Sequence, residues 1–148
     1  MALFQAEIEY LWSEPIADWR QTEQNLKILW IKAKGYYTIK STVFSPNDNA
    51  FKKAKNEPVY NKLIFLKNEK IIQNSTYEFL NKARKRRNKV HPPNRFSKQD
   101  YIMFREAKTL TDILFLHAVR NVKDDIWRNV MASIEEHAKI LLEKFQLN

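Results

Sequence analysis

Apolar residues recur along this chain with a helical period almost throughout. Phe4, Ile8, Leu11 and Trp12 fall at helical spacing and predict a short amphipathic helix over residues 3–12. Ser13-Glu14-Pro15 reads as a break and a restart, with Ser13 as the cap and Pro15 near the first turn. The next helix carries Ile16, Trp19, Leu26, Leu29 and Trp30 on one face and runs to about Lys34, where Gly35 suits its C-terminal end. Three tryptophans, Trp12, Trp19 and Trp30, would also make a base-stacking platform, but at helical spacing they read as core. Between Tyr36 and Phe44, Tyr37, Ile39 and Val43 fit a strand. No partner strand is evident, so the helix is expected to continue there with a kink.

Further on, Ser45-Pro46-Asn47-Asp48 has the form of a helix start, with Asp48 at the capping-box position, and predicts a short helix to about Lys55. Asn56-Glu57-Pro58 restarts the chain, and Val59, Leu63, Ile64 and Leu66 continue a helical stripe. Lys52, Lys53, Lys55, Lys62 and Lys67 would line a phosphate-binding face or a solvated one. Ser75-Thr76-Tyr77-Glu78 is a second capping box, opening a helix that buries Phe79, Leu80 and Ala83. Ser97-Lys98-Gln99-Asp100 is a third, opening a helix from about Lys98 to Asn121. Met103, Ala107, Leu110, Leu114 and Ala118 form its stripe. Phe104, Ile113, Phe115 and Leu116 widen it, as on a helix shared between the core and a partner. A last helix opens at Lys123-Asp124-Asp125 and reaches about Phe145, with Ile126, Val130, Ile134, Ala138 and Leu141 on its apolar side. The pattern predicts an all-α fold, an antiparallel bundle of about five to six helices in a single domain over 1–148.

Composition sharpens this picture. A chain of 148 residues with a single glycine has few corners to offer an all-β fold and suits long helices. Cysteine is absent, so disulfides and thiolate metal sites are excluded, which fits a reducing, cytoplasmic compartment. No apolar run of about 18 residues occurs, and no membrane span is expected. Glu7 and Glu9 replace the basic start of a signal peptide. Against 17 acidic residues stand 26 basic ones, a net charge of +9, and such a surplus favours polyanionic partners.

The charge concentrates in one place. Lys82, Arg84, Lys85, Arg86, Arg87 and Lys89 put six cations into eight positions, followed by His91-Pro92-Pro93. Pro92 disfavours helical geometry at His91, so the helix is expected to end near this histidine. At about 100° per residue, Arg87 and His91 lie about 40° apart and extend the face of Phe79, Leu80 and Ala83. An arginine carried toward the apolar side needs an anion, a carboxylate or a phosphate. An imidazole beside fixed cations suits proton transfer at a phosphate. The plainer readings are a solvated basic helix end, a structural salt bridge, or a histidine favoured by the helix dipole. Elsewhere the sequence has no glycine-rich phosphate loop, no nucleophilic cysteine and no HExxH-like pair. Asp124-Asp125 and Glu135-Glu136 diverge on a helix, so no metal site is expected. His117 and His137 lack basic neighbours and read as structural or surface residues.

The focal stretch resembles the R-x(4–6)-H motif of the HEPN superfamily. These are small all-helical domains, many of them metal-independent ribonucleases that act as dimers. Arg86 and His91 meet the four-residue gap, and Arg84 and His91 the six-residue gap. The following His91-Pro92, polar loop and long helix with Glu106 and Ala107 are also similar to the family's, so the likeness covers roughly residues 75–118. The family's arginine is commonly followed by Asn, Asp or His. Here that pair is Arg87-Asn88, three intervening residues from His91, so either Arg86 or Arg87 fills the role.

The resemblance implies a HEPN-like fold and an endoribonuclease without metal or other cofactor. His91 would be general base or acid, and Arg86 or Arg87 the phosphate holder. Lys82, Arg84, Lys85, Asn88, Lys89 and Arg95 would bind RNA phosphates. It further implies a homodimer, a role as toxin or phage-defence effector, and an antitoxin or regulatory protein as partner. The alternative is a non-catalytic HEPN-like module that binds RNA, a nucleotide or a protein.

Overall fold

The computed structural model describes residues 2–40, 43–47, 49–89, 96–120 and 122–145, with side chains left undescribed for 2–14 and 37–45. Six helices occur among the described residues: α1 (Ala2–Lys34), α2 (Ala50–Asn56), α3 (Val59–Asn68), α4 (Asn74–Lys89), α5 (Lys98–Val119) and α6 (Asp124–Lys144). The all-α bundle is therefore present.

Helix α1 ends as the lone glycine predicts. Gly35 takes φ +77°, its N–H donates to the Lys32 carbonyl, and the Tyr36 N–H reaches back to that of Ile31. This pair of bonds is a Schellman closure, which needs a left-handed residue at the Gly35 position. Helix α3 closes in the same way, but with Lys70 at φ 60° in the left-handed place and Ile71 N–H on Leu66 O.

Three expectations are corrected. The break at Ser13-Glu14-Pro15 is absent, and α1 runs through Pro15. Pro15 is buried. The contacts it gains there offset the missing N–H bond and the clash with the carbonyl one turn back. Second, residues after Gly35 leave the helix and form β1 (Tyr37–Lys40), paired antiparallel with β2 (Val43–Pro46) in the register Tyr37↔Pro46 to Lys40↔Val43. The β-branched and aromatic residues there supply their own partner within the same stretch. Third, α2 begins at Ala50, capped by Asn49 in left-handed geometry without a side-chain bond, so the box anticipated at Ser45–Asp48 is not its start. Asp48 itself lies outside the described residues.

The main core joins α1, α3, α4, α5 and α6 through Trp19, Leu26, Leu63, Phe79, Leu80, Phe104, Leu110, Leu114, Ala138 and Leu141. α1 packs chiefly on α5, and α4 on α6. The predicted α5 stripe of Met103, Ala107, Leu110, Leu114 and Ala118 is buried throughout. Trp19 and Trp30 are core residues, not an open platform, and the Trp12 side chain lies outside those described. Trp30 and Ile31 pack with Ala50 and Ala54 of α2 in a second small cluster. On α6, Ile126 is exposed rather than buried. It lines, with Ile113, Val130 and Ile134, an apolar groove between α5 and α6. Within the α1–α5 contact, buried Asn25 donates to Thr111 Oγ1 (3.0 Å) and Asp112 Oδ1 (2.7 Å) and accepts from Gln21 Nε2. Among the described residues no helix is long and apolar enough to cross a membrane.

Candidate nucleic-acid interface

Helix α4 carries the basic run, and carboxylates from other helices hold both its ends. At the N-terminus, Ser75 N–H, Thr76 N–H and Thr76 Oγ1 all donate to the carboxylate of buried Glu135 on α6, the Thr76 bonds at 3.0 Å each. The first turn of a helix leaves its N–H groups without intrahelical partners, and a carboxylate there satisfies them and favours the dipole. The capping box expected within Ser75–Glu78 is thus replaced, Glu78 being exposed.

At the C-terminal end, Arg86 Nε donates to Asp100 Oδ1 at 2.6 Å and Nη2 to Oδ2 at 2.9 Å. Asp100 sits in the first turn of α5, where it completes the box predicted at Ser97. Its own N–H donates to Ser97 Oγ (3.1 Å), and Ser97 N–H donates to its Oδ2 (2.9 Å). The Asp100 side chain is 3% exposed and that of Arg86 42%. Burial alone would push the Asp100 carboxyl up. The bonds from Arg86 and from the Ser97 backbone and hydroxyl outweigh it and hold the group below its ordinary range. The bond to Asp100 in turn raises Arg86. Of the readings open for Arg86, a structural salt bridge is the one the geometry displays.

The other predicted residues divide by face. Ala83 is fully buried. At about 100° per residue, Arg87 projects only about 40° from it, on the buried side of the last turn. Arg87 is half-buried, while Lys85, Asn88 and Lys89 are exposed and Lys82 is half-buried. Arg84 donates from Nε to Asn81 Oδ1 at 3.0 Å, and its guanidinium lies 5.0 Å from the ring centre of Tyr60 on α3. His91 and Arg95 lie outside the described residues.

Of the lysines anticipated on a phosphate-binding or solvated face, Lys52, Lys53 and Lys55 are exposed and Lys67 is half-buried. Lys62 is buried and its ammonium lowered by desolvation. Lys53 lies over the Tyr36 ring at 4.3 Å and Lys67 over Tyr77 at 4.6 Å. His137 bonds Glu106 on the surface at 2.9 Å, and His117 is half-buried with an unpartnered Nδ1 among the described residues.

Sequence reasoning missed two participants, Asp100 as the anion that Arg86 requires and Tyr60 as the ring beneath Arg84. The first had a signal, an acidic residue at a capping position across a short loop from an arginine-rich helix end. The second had none, because Tyr60 and Arg84 meet only through the packing of α3 on α4. Compared with family models, curated proteins and solved structures, the chain matches none of them.

Proposed function

We propose that this chain is a metal-independent endoribonuclease that holds RNA along the basic half of α4. The observation that carries the reading is the basic C-terminal half of α4, where exposed Lys85 and Lys89 stand beside half-buried Arg87 in the residues that lead to His91. The Arg86–Asp100 clamp ties this last turn of α4 to the first turn of α5. The phosphate-holding role belongs to Arg86 or Arg87, the latter beginning the Arg-Asn pair of the family resemblance. In the reaction, His91 takes the proton of an RNA 2′-hydroxyl, and the oxygen attacks the adjacent phosphorus. The 5′-oxygen leaves with the proton that His91 gives back as an acid, giving a 2′,3′-cyclic phosphate and a 5′-hydroxyl. Arg86 or Arg87 stabilises the charge that builds on the phosphate oxygens. Lys82, Arg84, Lys85, Asn88, Lys89 and Arg95 hold flanking phosphates without reading sequence. A homodimer that shares one composite site, a toxin or defence role in the cytoplasm and an antitoxin partner extend this reading by resemblance alone.

The engagement of Arg86 by Asp100 also favours a second reading, a non-catalytic helical module that binds RNA. One assay separates them. Mixed single-stranded RNA is incubated in EDTA with the protein or with His91→Ala, and fragment ends are checked for cyclic phosphate. Cleavage that disappears in the variant supports the nuclease. Undiminished cleavage by His91→Ala sinks it. Salt-dependent binding without cleavage by either protein selects the module.

A further inference from the structure

Tyr60 is an aromatic residue held at the surface rather than in the core. It is 41% exposed, whereas Phe79 and Phe104 nearby in the bundle are fully buried. A cation lies over its face, the Arg84 guanidinium, which the bond to Asn81 aims. A second such pair adjoins it on the same helices, Lys67 over Tyr77 at 4.6 Å. Burial and the neighbouring Tyr60 phenol push the Tyr77 hydroxyl above the ordinary phenol range. Tyr77 and Arg84 are seven positions apart, which at about 100° per residue places them about 20° apart on one face of α4, the face toward α3. Exposed Lys85 follows directly.

Resting on the RNA reading above, we propose that Tyr60 and Arg84 form a base-stacking subsite for single-stranded RNA, flanked by Lys67 and Lys85 as phosphate contacts. Stacking needs an exposed ring or guanidinium plane beside cations that track the backbone; here a 41% exposed ring carries a guanidinium over its face, and a base stacks on that pair. Every base has a π-face, so the subsite takes any sequence. A duplex keeps its bases within the stack and cannot offer one to Tyr60. The basic face of α4 supplies charge to either form, whereas this subsite supplies a preference for the unpaired strand.

The test is fluorescence anisotropy with a labelled 2′-O-methyl RNA, which cannot be cleaved through its 2′ oxygen, as a single strand and as the matching duplex. The proteins are the wild type, Tyr60→Ala, Tyr60→Trp and Lys85→Gln, each checked for folding by circular dichroism. Tyr60→Ala is expected to weaken single-strand binding about 5- to 100-fold, with duplex affinity and salt slope unchanged. Tyr60→Trp retains the affinity, and Lys85→Gln weakens both forms. Wild-type affinity in Tyr60→Ala, or an equal loss on both forms, overturns the stacking subsite and leaves RNA binding intact. A wild type that binds neither form overturns the RNA reading and the subsite together.

Discussion

Arg86 and Asp100 meet through two parallel hydrogen bonds of 2.6 and 2.9 Å, between the last turn of α4 and the first turn of α5. The pair is asymmetric, for Asp100 is almost wholly buried and Arg86 keeps part of its surface in water. Removing the arginine therefore strands a buried carboxylate, while removing the carboxylate leaves a cation that rehydrates. Arg86→Met is expected to destabilise the fold by about 2–3 kcal/mol, below the range for fully buried pairs because Arg86 is part-exposed. Urea denaturation reads the loss. Arg86→Lys should restore less than half of it, since an ammonium lacks the two-pronged geometry.

The same carboxyl sets a pH dependence. Its folded pKa is depressed, so its contribution to stability is complete above the unfolded value of about 3.9 and is lost as pH falls through the folded value. The difference in urea midpoint between the wild type and Asp100→Asn should be constant from about pH 7 to 5 and shrink below about pH 4. A difference that grows on acidification contradicts the assignment.

At the opposite end of α4, Glu135 accepts three bonds from Ser75 and Thr76. Glu135→Ala is expected to cost about 2–3 kcal/mol, combining a lost cap with unsatisfied buried donors. Hydrogen exchange is the direct readout, with faster exchange at the amides of Ser75 and Thr76 and little change in α5.

Asn25 joins α1 to α5 through Thr111 and Asp112. Asn25→Ala should cost about 1–3 kcal/mol in denaturant unfolding. Thr111 keeps its bond to the Ala107 carbonyl and Asp112 its pair with Lys108, so neither partner is stranded and the lower half of that range is expected.

Lys85 is exposed, and Lys85→Gln should change stability by less than about 0.5 kcal/mol. If RNA lies along α4, its affinity falls in this variant, and the slope of log affinity against log salt decreases by about 0.7 for a single strand. An unchanged slope removes Lys85 from the interface.

How much of this was legible in the sequence depended on the distance over which each signal acts. The Ser97–Asp100 box lies within four residues and was readable, as was the closure at Gly35, where only a glycine takes φ +77° without cost. The five-residue stripe on α5 was readable because periodicity survives whatever it packs against. At Ser75 the local pattern was misleading. A carboxylate 60 residues away takes the place of Glu78, and no local rule weighs that competitor. Pro15 was read as a boundary because its local cost is visible and its burial is not. For the site, the basic run was plain, but the pairing of Arg86 with Asp100 was not. It depends on which side of α4 faces the start of α5.

The two carboxylates that grip α4 make it a beam fixed at both supports. Turning the helix by one residue swings Arg86 about 100° away from Asp100, and sliding it by one residue moves Ser75 and Thr76 about 1.5 Å past Glu135. Neither displacement keeps both grips, so the helix has one register. Its outward face, touched by neither anchor, is then open to change residue by residue. Charge can be removed at exposed Lys85 or Lys89 without shifting the scaffold beneath, so the charge of this face is adjustable independently of the fold.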